Sequence, residues 1–236
     1  MNKKIEACLF DMDGLLINTE DIYTEVSNEI LSKTNKGPMT WDFKIQLQGL
    51  PGDQAAAKMI KHYDLPYTLQ EFEKLNVESQ KGKWTQAQFL PGVKELLLYL
   101  KKDKKMPIAL CTSSNVSRFE GKTSHLKEIF NLFDVVITGD DKRIPKGRGK
   151  PYPDIWKVGL NQLNQLYNKT ITPDHCLVFE DGVLGCQSGI RFGAYVIWVP
   201  HLKAYEHLPP PSEVLGEQGE VLKDLTEFNP NKFNLG

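Results

Sequence analysis

Two aspartates one residue apart, Asp11 and Asp13, directly follow the apolar stretch 5–10 and precede Gly14. Three more polar clusters stand in comparable places. Thr112-Ser113-Ser114-Asn115 follows the apolar stretch 107–111, Gly149-Lys150-Pro151-Tyr152-Pro153-Asp154 precedes a helical pattern, and Glu180-Asp181-Gly182 follows 176–179. Carboxylates at i and i+2 on the continuation of a strand share a face and repel, and a second acidic pair at 180–181 on a neighbouring strand end adds to the repulsion. Such a cluster stays ionised when a cation sits among it. An all-oxygen carboxylate set suits Mg²⁺, which keeps some of its waters and takes further ligands from a phosphate. Lys150, with the hydroxyls and backbone N–H groups of Thr112 and Ser113, would hold the anionic oxygens of a phosphoryl group in transfer. In such a site one aspartate can attack phosphorus and form an acyl phosphate, while the other protonates the leaving oxygen and later deprotonates water.

Taken singly, each cluster has an ordinary explanation. Asp-x-Asp-Gly is common in loops, Thr112-Ser113-Ser114 is turn chemistry, and Asp181 is a good helix cap. A lone lysine such as Lys150 is by default solvated. The joint order and the strand-end placement make the set specific. A calcium loop opening at Asp11 fails at Leu15 and Ile22, where oxygen ligands are needed. The stretch 147–152 lacks the third glycine of a dinucleotide fingerprint, and the first glycine and final Ser/Thr of a P-loop. No Gly-x-Ser-x-Gly elbow occurs, and the five histidines are scattered.

The elements that must carry these clusters follow from the apolar pattern. Short apolar, partly β-branched runs at 5–10, 107–112, 135–138, 176–179 and 195–199 carry their charges at the flanks, as strands buried on both faces do. Helical spacing covers 91–102, 154–167 and 182–192, so the chain reads as βαβ units building a mostly parallel α/β sheet, whose ligand crevice lies outside the carboxyl ends of its strands. About 95 residues separate the first strand from the second, far more than one crossover helix needs. Helical patterns at 20–33, 52–63 and 68–86 fill them, so 16–89 is expected to be an inserted helical domain, with 1–15 and 90–236 forming the core.

The chain has 236 residues, 29 basic and 30 acidic, a formal net charge of −1 and 40% hydrophobic residues. That balance argues against a dedicated nucleic-acid or membrane-surface binder. The four cysteines form no CxxC pair and read as small buried hydrophobes kept reduced. No run is long enough to span a bilayer, and the start of the chain lacks a signal-peptide pattern. The expectation is a cytoplasmic monomer, with the nucleus also open to it, acting on a small phosphorylated metabolite without nucleic-acid or membrane partners.

The order Asp11-x-Asp13-Gly14, Thr112-Ser113, Gly149-Lys150-Pro151-x-Pro153-Asp154, Glu180-Asp181 resembles the haloacid dehalogenase superfamily across essentially the whole chain. The helical insertion resembles its small α-helical cap. Longer strings, among them Phe10-Asp11-Met12-Asp13-Gly14-Leu15-Leu16, Lys122-Thr-Ser-His-Leu-Lys-Glu-Ile-Phe and Leu225-Thr-Glu-Phe-Asn-Pro, are similar to its pseudouridine-5'-phosphatase branch. The resemblance implies a Rossmann-like doubly wound core and a Mg²⁺-dependent phosphatase. Asp11 would be the phosphorylated nucleophile, Asp13 the general acid and base, Thr112 and Ser113 the phosphoryl ligands, and Lys150 a bridge from Asp11 to phosphate. Mg²⁺ would be held by Asp11, the Asp13 carbonyl and Asp181, with Glu180 assisting. Asn18-Thr19 stands where many relatives have Asp-Thr or Asp-Ser, and Tyr23 where the related β-phosphoglucomutases carry a histidine, which counts against a mutase. Such a phosphotransferase, or a non-catalytic phosphate-binding module, is the alternative. The loop 48–52 is where substrate contacts are expected.

Overall fold

Side chains alternate across a strand, and the stretches 7–10, 108–111 and 176–180 are buried throughout, so these strands must be covered on two sides. The computed structural model describes residues 4–235. Six strands, β1 (Ala7–Phe10), β2 (Ile108–Cys111), β3 (Val135–Ile137), β4 (Cys176–Glu180), β5 (Tyr195–Trp198) and β6 (Gly219–Val221), form one all-parallel sheet in the order β3-β2-β1-β4-β5-β6. The helices are α1 (Thr19–Ser32), α2 (Trp41–Lys44), α3 (Gly52–Tyr63), α4 (Leu69–Gln80), α5 (Val93–Leu98), α6 (Val116–Thr123), α7 (Lys127–Phe130), α8 (Asp154–Tyr167), α9 (Val183–Phe192) and α10 (Pro211–Leu215). Ala7 and Leu9 face Trp156, Leu160 and Leu163 of α8 with Cys186 of α9, while Cys8 and Phe10 face the opposite core with Leu97, Leu100 and Phe233. This is the doubly wound order.

β1 lies between β2 and β4, with Phe10 level with Leu110 on one side and Phe179 on the other. The Phe10 and Phe179 rings stack at 4.4 Å. The chain changes sheet direction here, so the residues just beyond β1, β2 and β4 open into a single crevice. Two antiparallel passages lead from the sheet to the helical segment and back. Ile17 bridges to Phe89, Asn18 N donates to Gln88 O at 3.1 Å, and Gln88 N donates to Asn18 Oδ1 at 2.8 Å. Beyond them α1 packs on α4 and α4 on α3.

The expected helix over 68–86 stops at Gln80. A capping box between Thr68 and Glu71 starts it, and Gly82, at φ 77°, turns the chain before a 3₁₀ turn at Trp84–Gln86. The expected helix over 91–102 is α5 continued by a π-helical turn at Tyr99–Asp103. β6, α2, α6, α7 and α10 were not anticipated: all are short, and β6 offers only Gly-Glu-Val, with no apolar run.

Candidate active site

Asp11 is the first residue beyond β1, where its N–H donates to Phe179 O at 3.0 Å. Glu180 ends β4 and Asp181 follows it. The carboxylates of Asp11, Glu180 and Asp181 each bring an oxygen within 4.8 Å of the others, and all three residues are buried. The Lys150 ammonium pairs with Asp11, lies 2.6 Å from Glu180 Oε1, donates to Cys111 O at 3.3 Å and sits 4.6 Å over the Trp156 ring. Glu180 Oε2 accepts the N–H groups of Asp181 and Gly182 at 3.0 and 3.3 Å. Its carboxylate fills the space in which any side chain at Gly185 would sit. Gln48 Nε2 donates to Asp181 Oδ2 at 3.1 Å, and Trp198 Nε1 donates to Asp181 O at 2.8 Å. Gly14, at φ 78°, lets the chain turn with its Cα against the Asp181 carboxylate, where a Cβ would collide.

One ammonium faces three carboxylates. Burial pushes the Asp11 carboxyl up to about 7 against the pull of Lys150, with Glu180 and Asp13 adding to the rise. Burial, then Glu180, Glu20 and Asp11, push Asp181 well above the usual carboxylate range. Hard oxygen donors, excess negative charge and burial together fit a divalent cation better than they fit the protein alone.

Asp13 is placed differently from the expectation of two aspartates on one face. β1 ends at Phe10 and the chain winds into a turn in which Leu16 N donates to Met12 O at 2.9 Å, so the strand alternation does not reach Asp13. Its carboxylate accepts from Lys122 Nζ and Thr19 Oγ1, both at 2.6 Å, and from Ser114 Oγ at 2.9 Å. Burial raises this carboxyl, but Lys122 and the two hydroxyls outweigh it and hold Asp13 below the usual range. The side chain of Asp13 therefore stands apart from the acidic cluster, leaving only its backbone carbonyl for the metal role the resemblance implies. Lys122 has no solvent exposure. It also donates to Tyr23 Oη at 2.7 Å and Ser114 Oγ at 2.9 Å, under the rings of Tyr23 and Trp84.

Thr112 is buried beyond β2, with its N–H on Ile137 O and its Oγ1 accepting from Ser114 N at 3.1 Å. Ser113 Oγ donates to Gly49 O at 3.1 Å. The loop 48–52 thus meets each wall of the crevice: Gln48 at Asp181, Gly49 at Ser113, Pro51 against Gly149 and Gly52 against Arg118. Beneath it a cavity of about 140 Å³ runs from Asp11 and Ser113 into the helical segment. Lys122 was not among the expected site residues, because nothing in its residue type separates it from a solvated lysine. Lys44, buried against Glu20 Oε2 at 3.1 Å, was missed for the same reason.

A family model described as haloacid dehalogenase-like hydrolase matches residues 8–199. Over 231 residues the chain is 56% identical to a protein of Saccharomyces cerevisiae named a probable pseudouridine-5'-phosphatase, covering 98% of each. A Drosophila melanogaster protein of the same name is 34% identical, covering 99% of this chain and 95% of that one. The crystal structure of CbbY from Rhodobacter sphaeroides in complex with phosphate superposes with a TM-score of 0.74 over 94% of this chain and 96% of that one, at 21% identity, a likeness of fold.

Proposed function

The chain belongs to the haloacid dehalogenase-like hydrolases and is a phosphoric monoester hydrolase, and from that premise we propose that it is a Mg²⁺-dependent phosphatase acting on pseudouridine 5'-phosphate or a closely related nucleoside 5'-monophosphate. In this reading residues 16–89 are a cap over a core made of 1–15 and 90–236. The observation that carries the proposal is the convergence of Asp11, Glu180 and Asp181 around Lys150, with Asp11 lining the cavity. The relatives' names supply the nucleoside.

An Asp11 oxygen attacks phosphorus, the bond from phosphorus to the ester oxygen breaks, and Asp13 supplies the proton that oxygen takes up. Water, losing a proton to Asp13, then attacks phosphorus, releasing inorganic phosphate and regenerating the Asp11 carboxylate. Lys150 favours the ionised form of Asp11 against the effect of burial and lies beside the transferring group, with Thr112 and Ser113 supplying donors. Lys122, Thr19 and Ser114 hold Asp13 as the carboxylate, the form the second half needs. Delivering a proton in the first half requires that carboxyl to leave Lys122. Asp11, Asp181 and the Asp13 carbonyl would hold Mg²⁺, which neutralises the cluster and the phosphoryl oxygens. The 48–52 loop covers the site against bulk water. Tyr23, committed to Lys122, occupies the position where the mutases carry histidine, which favours hydrolysis over phosphotransfer.

A phosphate-release screen over nucleoside, sugar and polyol monophosphates, with and without Mg²⁺, tests the function. Mg²⁺-dependent release led by pseudouridine 5'-phosphate is expected; no release from any monoester contradicts it.

The cluster also sets a stability response. A carboxyl whose folded pKa lies above its unfolded value makes the native state bind the extra proton, so stability falls as pH rises between the two values. For Asp11 that window runs from about 4 to about 7. Metal-free protein should lose on the order of a few kcal/mol across it, and Mg²⁺ should restore stability at neutral pH. Asp181→Asn removes one charge from the cluster. It should raise the metal-free melting temperature at pH 7.5 by about 2–8 °C and abolish the Mg²⁺-induced shift. A variant melting like the parent, with an intact Mg²⁺ shift, would refute the metal assignment.

A further inference from the structure

Gln80 is 5% exposed and lines the cavity, and among the described residues its side-chain amide has no hydrogen-bond partner. An amide that opens onto a cavity without a protein partner is free to pair with a ligand there. Asn76, one turn earlier on α4, and Ser27 on α1 also line the cavity, and among the described residues neither the Asn76 amide nor the Ser27 hydroxyl has a hydrogen-bond partner. Residues four apart share a helix face, so Phe72, Asn76 and Gln80 present one continuous strip of α4 to the cavity. Met39 and Met59 supply apolar surface around that strip. Of the cavity's ionic groups, Lys44 is paired with Glu20, Asp13 with Lys122 and Asp11 with Lys150, while the Arg118 guanidinium lies against Gly52 of the 48–52 loop.

We propose that Asn76 and Gln80 are specificity residues that read the hydrogen-bonding edge of a neutral, planar, uracil-type imide ring on the leaving nucleoside. This rests on the phosphatase reading above and assigns the end of the same cavity opposite the strand-end carboxylates. A primary amide carries one acceptor and two donors, which complement a C=O beside an N–H in a paired, two-bond contact. Two amides one turn apart address both sides of the C=O/N–H/C=O sequence of an imide, and Ser27 supplies a further donor or acceptor. A sugar or polyol phosphate has no planar face for Phe72 and the methionines to cover, and reaches the carboxylate end without engaging α4. A site built to hydrogen-bond its substrate rejects an analogue lacking those groups, because its own polar groups are then left unpaired.

The test is the ratio of kcat/KM for pseudouridine 5'-phosphate to that for ribose 5-phosphate, measured for the parent, Gln80→Leu and Asn76→Leu. The ratio is internally controlled, since loss of folded protein lowers both terms alike. The parent ratio is expected to exceed about 100, and each substitution to lower it at least tenfold. Methylating the imide nitrogen of the substrate should lower it comparably in the parent and hardly at all in Gln80→Leu. Variants that hydrolyse both compounds with the parent's ratio overturn the assignment, as does a parent ratio near one. A parent that releases phosphate from neither compound instead overturns the phosphatase reading itself.

Discussion

Asp11→Asn is expected to lower kcat on any phosphomonoester by about 10⁴-fold or more, the scale of losing a nucleophile. The amide keeps the shape of the side chain and its place beside Lys150 but cannot form an acyl phosphate. Because the parent carboxyl is pushed up to about 7 by burial, removing its charge should leave the fold intact and the metal-free protein at least as stable. Retained far-ultraviolet circular dichroism and an unshifted or raised melting temperature, together with lost turnover of p-nitrophenyl phosphate, are the expected pair of results. Turnover at the parent rate would show that another group attacks phosphorus.

Lys150→Met should fail in both respects. The substitution keeps the stem over the Trp156 ring but leaves Asp11, Glu180 and Asp181 buried with no counter-charge. Removing one partner of a buried ion pair costs about 3–5 kcal/mol, and losing a charged donor to the transferring group costs about 10²–10³-fold in kcat. Urea melts in chelator at pH 7 should show the loss in full. At pH 5 it should shrink, since Asp11, below its pKa of about 7, is then protonated and Lys150 has less charge to balance. Parent-like melts and turnover would mean that Lys150 is a bystander.

How much of this was legible from residues alone depends on the signal each feature carries. The strands β1, β2 and β4 are apolar runs bounded by polar clusters, so their ends, and with them Asp11, Thr112 and Asp181, could be located without coordinates. The juxtaposition of those ends follows from the doubly wound order, in which β1 lies between β2 and β4. The i, i+2 argument for Asp13 failed because it assumed the strand continued past Phe10. Lys122 was invisible because burial turns an ordinary surface residue type into a site residue, and only the packing of α6 against Trp84 and Tyr23 does that. α6 itself had one legible mark, Asn115, whose side chain caps it by accepting from Arg118 N at 2.9 Å. The α4 strip was readable as a helix face, but the cavity it turns toward depends on α1 and α3, which lie distant in sequence.

The account depends most on a covalent bond from Asp11 to phosphorus. Acid-quenching the enzyme in the first turnovers with an isotopically labelled phosphate ester, followed by peptide mapping, tests it directly. The expected result is an acid-stable, base-labile phosphoryl group on the peptide containing Asp11, absent from Asp11→Asn and chased into free phosphate when unlabelled substrate is added. Label on a different residue, or Mg²⁺-dependent turnover with no labelled peptide at any quench time, would contradict it.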